Sequence, residues 1–231
     1  MPLKSALSVN EMKNWQLLLK QLLAELLGTF LYLSICLLTV SDKYLSNITV
    51  AFTNGLLVAS IVQIIGNVSG GHINPAVTLG VMVCGYINPL RAVCYVAVQT
   101  VGSIAGKLLI YHYHQGNLEV TIPNKNLRVD QVFAIELLMT FILVAVALSV
   151  LDPRRGARGL GSAPLAIGLS LTACQCACLS YTGSLNPIRS LGPAVVMNIW
   201  THHWVYWVGP LCGGLLAGIV YRFVLNLDYL L

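Results

Sequence analysis

Long apolar runs separated by short polar interruptions are the dominant pattern of the chain. They lie near 16–40, 48–66, 90–111, 130–151, 160–181 and 203–225, each near or above the roughly 20 residues that a helix needs to cross the hydrocarbon core of a bilayer. Two shorter apolar runs, near 74–85 and 186–197, cannot span. Backbone at membrane depth must satisfy its polar groups internally, so these short runs predict half-helices buried in protein or lining a cavity. The expectation is an all-α membrane protein of six transmembrane helices and two re-entrant half-helices. All of it forms one domain over residues 1–231.

Composition agrees with that reading. Of 231 residues, 57% are hydrophobic and 9% charged, against about a quarter charged in a soluble domain. Short-loop Lys and Arg set the orientation. Lys4, Lys13 and Lys20 precede the first span, and Arg154, Arg155 and Arg158 follow the fourth. Both groups read as cytoplasmic, while Lys43, Lys125 and Arg128 populate the other side more thinly. Both termini are then inside, and the polar N-terminal segment carries no cleavable signal pattern. The net charge of +5 follows from this topology and does not point to nucleic acid.

The chain is also written twice. Glu25-Leu26-Leu27-Gly28-Thr29-Phe30 returns 111 residues later as Glu136-Leu137-Leu138-Met139-Thr140-Phe141, and Asn74-Pro75 returns 112 residues later as Asn186-Pro187. Ser69-Gly70 is echoed by Thr182-Gly183, so the second loop is one residue shorter. Three spans per repeat is an odd number, so the second copy (about 128–226) enters the membrane upside down relative to the first (about 16–112). Inverted repeats place their short elements back to back near the midplane, where transport sites are built.

Asn is a favoured helix N-cap and Pro a favoured first helical residue, so Asn-Pro alone is a common helix start. Asn88-Pro89 at the third long run needs no other reading. The pairs at 74 and 186 differ because each opens a helix too short to span, after a Gly-containing loop. Two half-helices meeting at their N-termini bring together two ends of roughly half a positive charge each, which repels cations. With their cap oxygens engaged, Asn74 and Asn186 would turn NH₂ donors toward a passing water. Loop carbonyls at 69–73 and 182–185 would supply acceptors.

These residues carry a resemblance. Ser69-Gly70-Gly71-His72-Ile73-Asn74-Pro75-Ala76-Val77-Thr78 resembles the first signature of the aquaporin family. Leu185-Asn186-Pro187-Ile188-Arg189-Ser190, followed by Gly192-Pro193-Ala194, resembles the second. His203-Trp204-Val205-Tyr206-Trp207-Val208-Gly209-Pro210 is similar to the start of the family's last span. The likeness covers about residues 16 to 225. It implies a homotetramer with one pore per subunit that conducts water and small neutral solutes passively and has neither cofactor nor enzymatic activity. It also implies that Asn74, Pro75, Ala76, Asn186, Pro187 and Ile188 form the pore motif.

Glu25 and Glu136 are ionisable groups at membrane depth, which is costly without partners. A proton relay is one reading; their symmetry and the resemblance favour bracing of the two pore loops. His72 is expected to fix the loop before Asn74, and Lys107 to snorkel from the outer end of the third span. Cys174, Cys176 and Cys178 alternate as metal ligands can, but on a helix they splay around the axis, so packing is the expected role. The sequon at Asn47 lies about two residues from a span and is expected to stay unmodified. Gly102, Ser103, Ala105 and Gly106, with Gly213, Gly214, Ala217 and Gly218, suit close helix packing.

By resemblance, Arg189 belongs to an outer constriction that water-selective members complete with an aromatic from the second span and a His from the fifth. Those positions hold Asn54 and Gln175 here, and the remaining one falls at Gly183 or Ser184. Loss of the ring predicts a wider, still polar constriction. In contrast, Ser190 after Arg189 and Tyr206-Trp207 follow the water-channel pattern. Ile188 replaces the usual Ala, and its β-branch is expected to crowd the midplane contact or shift Asn186. Gly183 also replaces the Cys that often confers mercury block, which implies weak mercury inhibition. A coupled transporter would need an acidic ion site that is not evident, and an intramembrane protease would need a nucleophile with its base. A poorly conducting or junctional protein is the remaining alternative. Replacing Asn54 with Phe and Gln175 with His together is expected to suppress solute flux and spare water, read by stopped-flow light scattering of proteoliposomes.

Overall fold

The computed structural model describes residues 14–42, 44–113, 120–152 and 161–225; Lys4, Lys13, Lys43, Arg154, Arg155 and Arg158 of the orientation argument lie outside them. The described residues contain helices and connections without strands. Helix α1 runs Trp15–Ser41, α2 Asn47–Ser69, the half-helix α3 Pro75–Val83, and α4 Pro89–Tyr113. They are followed by α5 Val129–Leu151, α6 Ala163–Cys178, the half-helix α7 Pro187–Met197, and α8 Val205–Val220. One π-helical turn, Tyr221–Leu225, extends α8.

Helices α1, α2, α4, α5 and the joined α8 segment are long and apolar enough to cross a membrane, whereas α6 has 16 residues. The apolar run expected over 160–181 is shortened at both ends. Ser162 caps α6 with its side chain and Pro164 sits in the first turn, so the helix starts there. After Cys178 the chain turns, and Tyr181 and Thr182 both donate backbone N–H groups to Cys178 O. The helix is about 24 Å long at 1.5 Å per residue.

Packing repeats itself across the two halves. Helix α1 packs on α4 and α2, α5 packs on α8 and α6, and α2 meets α6 between the halves. Each half-helix lies against the last long helix of the other half, α3 on α8 and α7 on α4. Large hydrophobic side chains point outward, such as Ile64 at 64% exposure and Val93 at 66%, while Glu25, Gln99, Glu136 and Gln175 are fully buried. Such an inside-out distribution suits a lipid exterior.

Small residues make these contacts close. A Cβ on Gly102 would come within 2.7 Å of Leu26 O, and one on Gly213 would strike Leu137 O. The two collisions are 111 residues apart on both partners, the spacing of the sequence repeat. Gly55 and Gly168 likewise sit on each other's helix backbones, and Gly192 sits on Ser103. These glycines therefore serve contacts inside one chain.

Two sequence expectations meet specific side-chain contacts here. Lys107 does not snorkel; it is fully buried and partnered. It lies one turn beyond Ser103 on the face that also carries Tyr95 and Gln99, a four-residue stripe directed into the protein. Asn47 donates to Ser180 Oγ at 2.9 Å, tying the start of α2 to the turn after α6.

Replacing Gly102 or Gly213 with Ala is expected to cost about 1–3 kcal/mol each, because the added methyl meets backbone atoms that cannot rotate away. Thermal unfolding of the detergent-solubilised variants checks this.

Candidate functional site

The two half-helices begin at the same kind of cap. Asn74 Oδ1 accepts from Ala76 N at 2.8 Å, and Asn186 Oδ1 accepts from Ile188 N at 3.2 Å. Pro75 and Pro187 occupy the first helical positions, where no N–H is required. Each asparagine then reaches across the midplane. Asn74 Nδ2 donates to Leu185 O at 2.9 Å, and Asn186 Nδ2 donates to Ile73 O at 2.9 Å. One N–H of each amide is thus committed to the opposite loop, and one remains.

The accepting residues are strained. Ile73 and Leu185 have φ of 44° and 55°, a left-handed conformation that is uncommon for residues bulkier than Gly and Asn, and both are buried. This conformation turns their carbonyls toward the opposite half-helix and exposes the neighbouring N–H groups to a carboxylate. Glu25 Oε1 accepts from Ser69 Oγ and His72 N, and its Oε2 accepts from Ile73 N and Gln99 Nε2, all within 2.9 Å. Glu136 Oε1 accepts from Thr182 Oγ1, Gly183 N and Ser184 N, and its Oε2 accepts from Leu185 N at 2.8 Å. Strain of this kind, about 1–3 kcal/mol per residue, persists only where the surroundings over-determine it.

His72 lies in the first loop with Nδ1 3.2 Å from Thr78 Oγ1 and its ring edge-on to Tyr95. Among the described residues no cluster of three metal-ligating side chains occurs. Cys174 and Cys178 are buried and Cys176 faces outward, so the alternation splays as the helix geometry requires.

Ile188 is accommodated without displacing Asn186. The cap bond to its N–H is the longer of the two, but the two crossing bonds have the same length. Its own carbonyl accepts from Ser103 Oγ, and Ser184 Oγ bonds Asn186 O and Ser190 Oγ.

Two cavities flank this midplane. The inner one, about 30 Å³, is lined by Tyr32, His72, Asn74, Ser184 and Asn186 with apolar residues of α2, α3, α5 and α6. Space for a single water begins at roughly 10–15 Å³ on this measure, so the volume suits one or two molecules at a time. The outer cavity, about 500 Å³, is lined by Asp42, Asn47, Thr121, Thr182 and Arg189 among apolar neighbours. Thr182 faces outward and Ser184 inward, so Gly183 stands at the neck between them.

The four expected constriction residues meet around this neck. Arg189 is buried, the first turn of α7 holds it, and its guanidinium interacts with Tyr32 and Cys36 of α1. Asn54 Nδ2 donates to Gln175 Oε1 at 3.0 Å, and Gln175 Nε2 donates to Gly183 O at 3.1 Å. Asn54 and Gln175 are both fully buried, joined to each other rather than separated by a gap. The aromatic ring near Arg189 comes from α1 as Tyr32. Sequence reasoning missed it, although its place seven residues after Glu25, two turns along the same face, was a usable signal. Gln99 and Ser103 were missed as loop partners for the same reason: nothing in their local sequence distinguishes them from packing residues.

The profile of the major intrinsic protein family matches residues 11–221. The chain belongs to the major intrinsic protein family. Human aquaporin-5 is 41% identical over 216 residues, covering 90% of this chain and 81% of that protein. Lens fiber major intrinsic protein of Lithobates pipiens is 40% identical over 211 residues, covering 87% and 80%. The X-ray structure of the aquaglyceroporin from Plasmodium falciparum superposes with a TM-score of 0.80 at 21% identity, covering 90% of this chain and 97% of that one. That likeness speaks for the fold alone. As a member of this channel family with several apolar helices, the chain is an integral membrane protein with the aquaporin fold.

In this family frame the carboxylates can be tested directly. Glu136→Ala leaves four donors without an acceptor, and Glu136→Gln restores only one oxygen. The thermal midpoint in detergent is expected to fall in the order wild type, Gln, Ala, with Ala costing about 3–5 kcal/mol as for removal of one member of a buried charged network.

Proposed function

We propose that this protein is a passive channel for water, with passage of small neutral solutes such as glycerol, urea or hydrogen peroxide, and exclusion of ions and protons. The observation that carries it is the reciprocal pair Asn74 to Leu185 O and Asn186 to Ile73 O. It joins two helix N-termini back to back, at the boundary of an inner and an outer cavity. Positive helix ends and the buried Arg189 disfavour cations there. The free N–H of each asparagine engages a water oxygen, orienting it so that it donates outward and proton transfer along the file is interrupted.

In this reading Glu25, Glu136 and His72 brace the loops, and Asn74, Pro75, Ala76, Asn186, Pro187 and Ile188 form the meeting point. Asn54, Gln175, Gly183 and Arg189 form the neck. The chain is one channel domain over residues 1–231, with repeats at about 16–112 and 128–226. It has no enzymatic activity and needs no cofactor. It forms a homotetramer in the plasma membrane with cytoplasmic termini. Relatives named aquaporin-5 and the Plasmodium aquaglyceroporin support the transport of water or small solutes.

A second reading, a poorly conducting member with a structural role, draws on the Tyr32 ring at the neck and on the small inner cavity. Stopped-flow shrinkage of proteoliposomes under an impermeant osmolyte separates the two. The channel reading expects fast, low-activation-energy shrinkage with re-swelling under permeant solutes and no proton leak, and Tyr32→Leu is expected to raise the water rate severalfold. A rate equal to that of empty liposomes in both proteins would retain only the structural role.

A further inference from the structure

The amides at the neck have a direction, and a single carbonyl sets it. Gly183 O can only accept, so Gln175 must turn its Nε2 toward it. That places Gln175 Oε1 toward Asn54, which must answer with Nδ2. No flip of either amide satisfies both bonds, so Asn54 Oδ1 is left as the end of the chain. It is buried and has no hydrogen-bond partner in the protein. Arg189 Nε is in the same position as a donor, buried and without a partner. A buried polar group left unpaired is costly and usually marks a water or a ligand. One orphan acceptor and one orphan donor are thus associated with the neck that Gly183 occupies between the two cavities.

We propose that the neck is a selection site for small planar amides, urea the smallest practical probe, whose carbonyl takes the Arg189 donor and whose N–H takes Asn54 Oδ1. The proposal rests on the channel reading above and deepens it by naming the solute class. Water occupies the same two groups when no solute is present. A polyol presents hydroxyls that also donate and accept. However, it lacks the fixed division of the amide, with the acceptor at one end and donors at the other. The oriented chain from Gly183 through Gln175 supplies the complement to that division, and neither an aromatic nor a His at these positions would.

The test is solute-driven re-swelling of proteoliposomes bearing the wild-type protein, with channel-borne permeability taken as the excess over empty liposomes. Urea and formamide are expected to pass faster than ethylene glycol, which is of similar size; the reverse order overturns the proposal. In Asn54→Leu, and separately in Gln175→Met, which releases the orientation of Asn54, the ratio of urea to water permeability is expected to fall about fivefold or more, the scale of one lost hydrogen bond. A ratio that holds or rises in a folded variant overturns it. Because the wild-type order stands by itself, failure of both variants to fold does not remove the test. Water flux without amide flux in the wild type overturns the solute class and leaves the channel, whereas no water flux at all removes both.

Discussion

Where water is absent, every backbone N–H and C=O must find a partner in the protein, and this constraint shapes the centre of the molecule. Two loops that are neither helix nor sheet run at membrane depth, and their N–H groups have no ladder to join. Glu25 and Glu136 take them up, each carboxylate closing over four donors from the loop and its surroundings. Once those N–H groups are held, Ile73 and Leu185 can sustain positive φ, and their carbonyls meet the asparagine of the opposite half-helix. The crossing bonds, the abutting helix ends and the two cavities all depend on these two buried acceptors.

The rest of the fold brings the carboxylates to the loops. Helices α1 and α5 carry them, and glycines on α4 and α8 let those helices approach backbone to backbone. A larger residue at Gly102 or Gly213 would move a carboxylate away from its loop. Helix α4 adds a polar stripe: Tyr95 donates to Ser69 O, Gln99 to Glu25 and Thr78, and Ser103 to Ile188 O. The second half has no such stripe. Tyr206, the counterpart of Tyr95, has no protein partner for its hydroxyl, and Glu136 there takes Thr182 Oγ1 and three backbone N–H groups without a glutamine. The two halves reach the same end by different donors.

The neck departs most from what the amino acids suggest one by one. Asn54 and Gln175 are smaller or more flexible than the residues water-selective relatives place there, yet they do not leave a hole. Each amide carries both a donor and an acceptor, so the pair closes on itself and on Gly183. Tyr32, two turns beyond Glu25 on α1, brings a ring to Arg189 from a different helix.

Much of this was determined by the sequence alone. Apolar run lengths marked the long helices and the two short ones within a few residues, because hydrocarbon thickness and backbone satisfaction tie length to role. The repeat offset paired Glu25 with Glu136 and Asn74 with Asn186, and Asn-Pro located both half-helix starts through local capping chemistry. Tertiary structure decided the side-chain partners: which carbonyl each asparagine crosses to, that Gln175 bonds Asn54 and Gly183, that Lys107 turns inward, and that Tyr32 meets Arg189. Those contacts join residues many tens of positions apart, and their geometry depends on helix rotation and close approach, which local periodicity and propensity do not encode.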